Sequence, residues 1–500
     1  VTQFEQLKEK LAEISDLNGA ASVLAWDQQT YMPPGGGTAR AEQLATLGKL
    51  AHEMLVSDRI GELLETASAE VAGLPEDSDE AGLIRLVRRE YDKARKVPAS
   101  LVAELARASS LGLEIWVEAR ETSDFPLFRP ALQKIVDLHR ELAHCLGFEE
   151  NLYDALIDQY EPGMKTSQVA QIFSALRTQL VPLVHAISSK IGSVDDSVLR
   201  QTYAEPKQWD YGIDVLKRLG YNFKCGRQDK SVHPFSTSFS INDVRITTRL
   251  DEHFLPTALF GTLHEGGHAL YEQGISPALE RTPLAAGASL GIHESQSRLW
   301  ENLVGRSRGF WRFFFPLLQR LFSEHLGSVT LEGFYRAINR VEPSMIRVEA
   351  DEVTYNLHVL LRFELEVALM DETLSLSDLP SVWNAKMKEY LGVLPGNDAE
   401  GVLQDVHWSS GLIGYFPTYS LGNLISVQLF EKAKSQHPQI SQEIEKGEFA
   451  TLLGWLRRNV HAHGKKFLPA DLIERATGGP LQAQPYLTYL TEKYSEIYSL

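Results

Sequence analysis

Apolar residues recur three and four positions apart along most of this chain, the period of an amphipathic α-helix. Phe4, Leu7, Leu11 and Ile14 open the pattern behind Thr2 and Glu5, which are spaced as a capping box. Met32-Pro33-Pro34-Gly35-Gly36-Gly37 breaks it, and Leu44, Leu47 and Leu50 resume it. Leu83, Leu86, Val87 and Tyr91 mark another helix that stops near Pro98. Val102 to Trp116 and Leu132 to Leu146 continue, with Gly147 a natural C-terminal stop. Val169, Ile172, Phe173, Leu176 and Leu180 mark one more. Later helices are expected from His293 onward and over Trp311 to Leu326, Leu331 to Arg340, Val353 to Met370, Leu379 to Leu391, Leu424 to Lys434 and Phe449 to His463, with a last one near the C-terminus.

The period changes in one place. Between Phe235 and Leu250, Phe239, Ile241, Val244 and Ile246 alternate with Ser, Arg and Thr around Asn242-Asp243, which predicts a β-hairpin. Gly274 to Gly291 reads as a Gly/Pro-containing connector, and Gly401 to Gly422 as an irregular stretch rich in Gly and aromatics. Without an internal repeat or a low-complexity linker, the chain is kept whole as one domain over residues 1–500. The expected fold class is mainly α with a small β-sheet or hairpin.

Composition narrows the class. The chain has 500 residues, 43% of them hydrophobic and 23% charged, as in globular soluble proteins. A formal net charge of −17 argues against nucleic acid and anionic membranes as partners. An anionic substrate would then need cations placed locally. Two cysteines, Cys145 and Cys225, cannot form a disulfide framework or a metal cluster, and fit a reducing compartment. The N-terminus reads as a polar helix rather than a signal peptide, and no apolar run approaches the ~18 residues of a membrane span. A cytoplasmic location is the expectation.

The chemistry is concentrated in His264-Glu265-Gly266-Gly267-His268. Residues four apart on a helix are offset by only about 40°, so both imidazoles can meet one metal ion. Glu265 lies beside that face, where a carboxylate can take a proton from water. Leu263, Ala269 and Leu270 make the segment apolar around the polar trio. Two glycines inside a helix cost about 1 kcal/mol each relative to Ala, which predicts a tight approach of another element.

A catalytic zinc site takes a third protein ligand. Glu272 is one turn past His268, too far along the same helix to share one ion with both histidines. The candidate is Glu294 in His293-Glu294-Ser295-Gln296, far enough on for a loop and a returning helix, with Glu301 the competitor. His461 and His463 cannot share a helix face and read as surface or helix-end residues.

These residues together resemble the carboxypeptidase Taq family of bacterial and archaeal metallocarboxypeptidases. The resemblance is carried by His233-Pro234-Phe235, Asp243-Val244-Arg245-Ile246-Thr247, the His264–His268 pentapeptide, His293-Glu294-Ser295-Gln296, Ile346-Arg347-Val348-Glu349-Ala350-Asp351 and Gly401-Val402-Leu403-Gln404-Asp405-Val406-His407-Trp408. It implies two helical lobes flanking a deep active-site cleft, an architecture similar to angiotensin-converting enzyme and neurolysin. It implies one zinc ion per subunit, cobalt in some preparations, held by His264, His268 and Glu294. It further implies release of single residues from peptide C-termini with broad preference, proline being poor there, by a homodimer.

Roles follow from that chemistry. Glu265 is the expected general base and acid. His407, Tyr415 and Tyr419 are candidate donors to the oxyanion, Tyr415 being favoured because a tyrosine does this in the related architecture. Each could equally be an ordinary core residue. Arg347 and Arg245 are candidates for the substrate carboxylate, because the guanidinium fork matches it; the plain alternative is a structural ion pair, for instance Arg347 with Asp351. His233 is expected near the substrate rather than on the metal. An endopeptidase or dipeptidase on the same metal site, and a silent metal-binding protein, are the competing functions.

Overall fold

The computed structural model describes residues 2–500. The chain forms two compact units, each assembled from three separate segments. The first comprises residues 1–95, 196–338 and 429–480, the second 96–195, 339–428 and 481–500. Among the described residues no helix is long and apolar enough to cross a membrane.

In the first unit, helix α1 (Gln3–Thr30) starts at Thr2, whose side chain accepts the Glu5 amide. It ends before the predicted Pro/Gly break, which is a short 3-10 turn at Pro34–Gly36. Leu7, Leu11 and Ile14 pack with Ile60, Leu63 and Leu64 of Asp58–Val71 and with Leu83 and Val87 of Asp79–Lys96. Asp58–Val71 and helix α2 (Glu205–Leu219) lie outside the helices expected from the sequence. In α2 the buried positions Tyr211, Val215, Leu216 and Leu219 are interleaved with Trp209 and Gly212, which blurs the stripe.

The hairpin forms, and gains a strand. β1 (Gln228–Lys230), β2 (Ser236–Ser240) and β3 (Asp243–Thr248) make one sheet in the order β1-β3-β2. β3 pairs antiparallel with β2 and parallel with β1. Three residues are too few to carry an alternating signal, so β1 was not legible. Val244, Ile246, Thr247 and Thr248 of β3 are buried, and β3 packs on helix α3 (Pro256–Glu272). On the other side of the sheet α1 covers β2, with the Phe239 carbonyl against Gly19.

Helix α4 (Leu290–Arg298) completes the first unit beside α3, and the core of the second unit is helix α5 (Tyr355–Met370). Leu357, Val359, Leu360, Leu361 and Leu365 point to every side of α5 and all are buried, the mark of a helix enclosed by others. Thr166–Ser188 and Leu379–Leu391 pack around it. The expected helix at Leu424 begins earlier: α6 spans Pro417–Gln436, so Tyr419 sits on its first turn rather than in the irregular stretch.

Candidate metal centre and a buried ionic cluster

α3 begins with Pro256 at its first position, where the missing N–H has no intrahelical partner to lose. His264 and His268 fall one turn apart on it. The two glycines between them have identifiable neighbours. A Cβ at Gly267 would lie 2.6 Å from the Gln296 carbonyl oxygen and 2.7 Å from Ser297 Cα, and one at Gly266 would lie 2.5 Å from Leu216 Cδ2. At Gly267 only glycine lets the α4 backbone come this close; at Gly266 the neighbour is a methyl of the Leu216 side chain on α2.

α4 is started by Ser289, whose hydroxyl accepts the Ile292 amide. Its second turn brings Glu294 to the two histidines. Glu294 Oε2 lies 3.6 Å from His264 Nε2 and 3.5 Å from His268 Nε2. The three donor atoms lie within 4.8 Å of one another. Donors with bonds of about 2 Å to one tetrahedral ion lie roughly 3.3 Å apart, so the set fits a single ion.

The atoms behind the donors fix their tautomers. His293 Nε2 is 2.7 Å from Glu272 Oε1, and the carboxylate can only accept. The His293 proton therefore resides on Nε2, and its Nδ1 accepts from His268 Nδ1 at 2.6 Å. His264 Nδ1 donates to Glu301 Oε2 at 2.9 Å. Both Nε2 atoms face Glu294, where a divalent metal would meet them; burial lowers His264 but Glu294 and Glu301 outweigh it and raise it to about 8, so an ion entering the site displaces a proton from His264.

Glu294 itself is held by Arg298 Nε at 2.7 Å on Oε1 and by the Ser297 hydroxyl at 3.1 Å on Oε2. Burial pushes its carboxyl up, but Arg298 and the imidazoles outweigh that, and it lies well below the carboxylate range. Glu301 is held down to about 2 against its burial by the same arginine and by His264. Burial lowers His268 to about 3, which keeps it neutral.

Glu301 is thus a partner of a histidine rather than a member of the converging triad. It lies on a π-helical turn, Leu299–Val304, that continues α4. The wider turn breaks the register that regular helical spacing assumes. Glu265 is buried, and burial pushes its carboxyl up to about 7.

Two other candidates, His233 and Arg245, lie in this unit. His233 is exposed on the loop between β1 and β2. Arg245 on β3 makes two 2.8 Å hydrogen bonds to the two oxygens of Asp243 and lies between the rings of Trp26 and Phe239, 4.4 and 4.8 Å from their centres. His461 departs from the sequence expectation. It follows the helix Ala450–Asn459, but it is fully buried, with Nε2 2.9 Å from Gln296 Oε1 and its ring tilted against that of Tyr271, 5.1 Å between centres. His463 is half-buried.

In the second unit, Arg347 is buried and donates from Nε at 3.0 Å and from Nη2 at 2.8 Å to Asp405 Oδ1. Its Nη1 donates to Tyr355 Oη at 2.9 Å. Arg362 Nε of α5 donates to the other oxygen of Asp405 at 2.6 Å. Burial is again outweighed, by Arg362 and Arg347, so Asp405 lies well below its usual range. Asp351, the partner the sequence suggested for Arg347, instead accepts from the amides of Glu342, Val353 and Thr354.

His407 is buried, which lowers it to about 3, and its Nε2 is 3.1 Å from Tyr419 Oη. Its ring lies 5.4 Å from that of Tyr415, which lies 5.3 Å from that of Tyr419. The structure therefore brings His407, Tyr415, Tyr419 and Arg347 into one cluster, and His264, His268, Glu294 and Glu265 into another. The supporting residues Glu272, His293, Glu301, Arg362 and Glu366 were not assigned support roles from the sequence. His293 and Glu301 did stand beside the ligand motif, but nothing in their spacing shows what they touch.

Residues 6–494 match the family model described as Carboxypeptidase Taq (M32) metallopeptidase. The chain is 44% identical to thermostable carboxypeptidase 1 of Thermus thermophilus, with 99% of each chain covered. It is 40% identical to carboxypeptidase 1 of Bacillus subtilis, covering 100% of this chain and 99% of the relative. A crystal structure of an M32 carboxypeptidase from Deinococcus radiodurans R1 superposes with a TM-score of 0.97 at 42% identity, with both chains covered in full.

Proposed function

This chain belongs to the Carboxypeptidase Taq (M32) metallopeptidase family and is a metallocarboxypeptidase; from that premise we propose that it releases single residues from peptide C-termini at one zinc ion per subunit, held by His264, His268 and Glu294. Broad preference for the terminal side chain, weak action on terminal proline, replacement of zinc by cobalt, a homodimer and a cytoplasmic location belong to the same reading. Both cysteines being free fits that location. The observation that carries the proposal is the convergence of two imidazole nitrogens and a carboxylate beside the buried Glu265.

The ion, when bound, supplies Lewis acidity to the scissile carbonyl and to the attacking water. Glu265 takes a proton from that water on a carboxylate oxygen and delivers it to the leaving amine nitrogen. The hydroxyl of Tyr415, or of Tyr419, donates to the developing oxyanion, and neutral His407 orients the Tyr419 hydroxyl from Nε2.

Arg347 takes the terminal carboxylate. Asp405 occupies its Nε and Nη2 from one side, so the carboxylate is received along the Nη1–Nη2 edge, next to the Tyr355 hydroxyl. Arg245 would have to release Asp243 to play this part and ranks second. His233, exposed on its loop, contacts the substrate rather than the ion. Arg347→Ala raises KM about tenfold or more in this reading, as expected for loss of a charge-assisted bond; an unchanged KM removes it from the clamp.

The deciding test is hydrolysis of an N-blocked peptide as the free acid and as the C-terminal amide, with chelator and with metal restored. Stepwise loss of terminal residues from the acid alone, abolished by chelator and recovered with Zn²⁺ or Co²⁺, supports the proposal. Equal cleavage of the amide, or internal cuts, would make the protein an endopeptidase and overturn the Arg347 assignment. Light scattering at micromolar protein tests the dimer.

A further inference from the structure

Glu366 is 1% exposed in the middle of the second unit, and no cation hydrogen-bonds to it. A carboxylate in such a place costs several kcal/mol unless its oxygens are satisfied. They are satisfied by three donors. Oε2 accepts from Tyr153 Oη at 2.6 Å and from the Gly414 amide at 2.9 Å. Oε1 accepts from Trp408 Nε1 at 2.8 Å.

Two of these donors are the immediate chain neighbours of His407 and Tyr415. The stretch from Gly401 to Phe416 has no regular helix or strand to set where those side chains point. Gly414 is in the left-handed region with φ of 95°, and a Cβ there would lie 2.8 Å from the Leu156 backbone. The chain must therefore be held at that point by something other than its own side chain. Tyr153 and Leu156 belong to one short helix, Leu152–Ile157, so Glu366 joins the segment to the wall it lies against.

The same face of α5 grips the segment a second time. Arg362, one turn before Glu366, binds Asp405. We propose that Glu366 is a positioning residue for the peptidase reaction, its carboxylate fixing the segment from Trp408 to Gly414 so that His407 and Tyr415 are held in their working orientation. The inference rests on the reading that Tyr415 acts on the reacting carbonyl. A well-packed apolar residue would fill the same space, but it would leave the indole and the Gly414 amide without acceptors.

Glutamine exposes this role. It has nearly the shape of glutamate, yet one of its two termini is an NH2 group. Whichever way the amide of Glu366→Gln turns, that NH2 faces a group that can only donate: the Trp408 indole on one side, or the Gly414 amide, beside the Tyr153 hydroxyl, on the other. Replacing Trp408 by Phe as well removes the conflict on one side, and the amide oxygen can then serve Tyr153 and Gly414.

Steady-state kinetics would be measured on the metal-loaded, full-length variants Tyr415→Phe, Glu366→Gln, Glu366→Gln/Tyr415→Phe and Glu366→Gln/Trp408→Phe, with metal content as a control. We expect Tyr415→Phe and Glu366→Gln each to lower kcat about tenfold or more, with KM within about twofold and metal content unchanged. Adding Glu366→Gln to Tyr415→Phe should cost little more, because both act through one group. Adding Trp408→Phe to Glu366→Gln should raise kcat again, which damage to packing would not do. If Tyr415→Phe is slow but Glu366→Gln retains kcat, or if Trp408→Phe merely adds a further loss, Glu366 is a packing residue and the proposal fails while the role of Tyr415 stands. If Tyr415→Phe retains kcat, the reading beneath fails and the positioning role falls with it. Should Glu366→Gln not fold, Trp408→Phe alone decides: a fall in kcat at constant KM supports the proposal, and an unchanged kcat overturns it.

Discussion

The two units solve the same problem by different means. Each must hold a few polar side chains within a fraction of an ångström, inside a protein whose net charge is −17. The first does it mainly with helix geometry, to which the buried Arg298 guanidinium adds its hold on Glu294 and Glu301. His264 and His268 are fixed by the pitch of α3, Glu294 by the second turn of α4, and the two helices touch backbone to backbone at Gly267. The second does it with charge. His407 and Tyr415 lie on an irregular segment, and Asp405, Trp408 and Gly414 tie that segment to Arg362 and Glu366 on α5. A site built on helical repeat tolerates loss of a distant charge. A site tied down by buried charges does not.

The largest effect that tests this contrast is on the chemistry of the helix-built site. Glu265→Gln should lower kcat by about 10²–10⁴, the range of general acid–base catalysis, and leave bound metal and urea-unfolding midpoint close to those of the parent. Glu265 supports neither helix, so a large loss of stability would show that the first unit too depends on its charges.

Next comes the charge-built site. Asp405→Asn leaves Arg347 and Arg362 facing each other in the core without their anion. Removing one partner of a buried ionic set costs about 3–5 kcal/mol. Urea denaturation should show a clearly lower midpoint than for Glu265→Gln. Equal midpoints would mean the second unit does not rely on this cluster and would remove the contrast.

The difference in construction also decides what the sequence could reveal. The His264-Glu265-Gly266-Gly267-His268 set is readable because one period governs all of it, and Glu294 because a loop and a returning helix leave few alternatives. Gly266 and Gly267 foretold a close approach, though not that α2 and α4 would make it. In the second unit Arg347 and Asp405 are 58 residues apart, and Glu366 is 42 from Trp408 and 48 from Gly414. No local pattern relates such residues, and Glu366 sits in an apolar helix where its period marks it as neither core nor surface. Glu301 was the competing ligand on regular helical spacing; after the π-turn that follows Arg298 it lies instead against His264 Nδ1.

A pH series probes the anchor on α5 more gently. Burial raises Glu366 to about 7, against 4.5 for an ordinary glutamate. Between those values the folded protein binds more protons than the unfolded chain. The stability this group contributes is fully present below pH 4.5 and is lost as pH rises through about 7. The parent should therefore lose roughly 3 kcal/mol relative to Glu366→Gln across that window. Paired urea titrations from pH 5 to 8 read the difference directly, and a gap that stays constant would show that Glu366 is not buried as a titrating carboxyl.

The smallest effect returns to the first unit and asks whether its helices suffice by themselves. His293 accepts the Nδ1 proton of His268 and passes the constraint to Glu272. Helix pitch would place the His268 ring without it, but pitch does not choose which nitrogen carries the proton. In His293→Phe that proton has no acceptor, and either tautomer of His268 is open to it. Loss of such a partner weakens metal binding about 10–100-fold, or about 1.4–2.8 kcal/mol. Competition with a chelator measures this without reference to turnover. His293→Gln, whose amide oxygen can still accept, should recover part of the affinity. If His293→Phe binds metal as tightly as the parent, the His268 ring needs no partner on Nδ1, and the contrast between the units sharpens. If it loses affinity and glutamine restores it, the first unit also uses buried polar contacts, but to choose a tautomer rather than to hold a backbone.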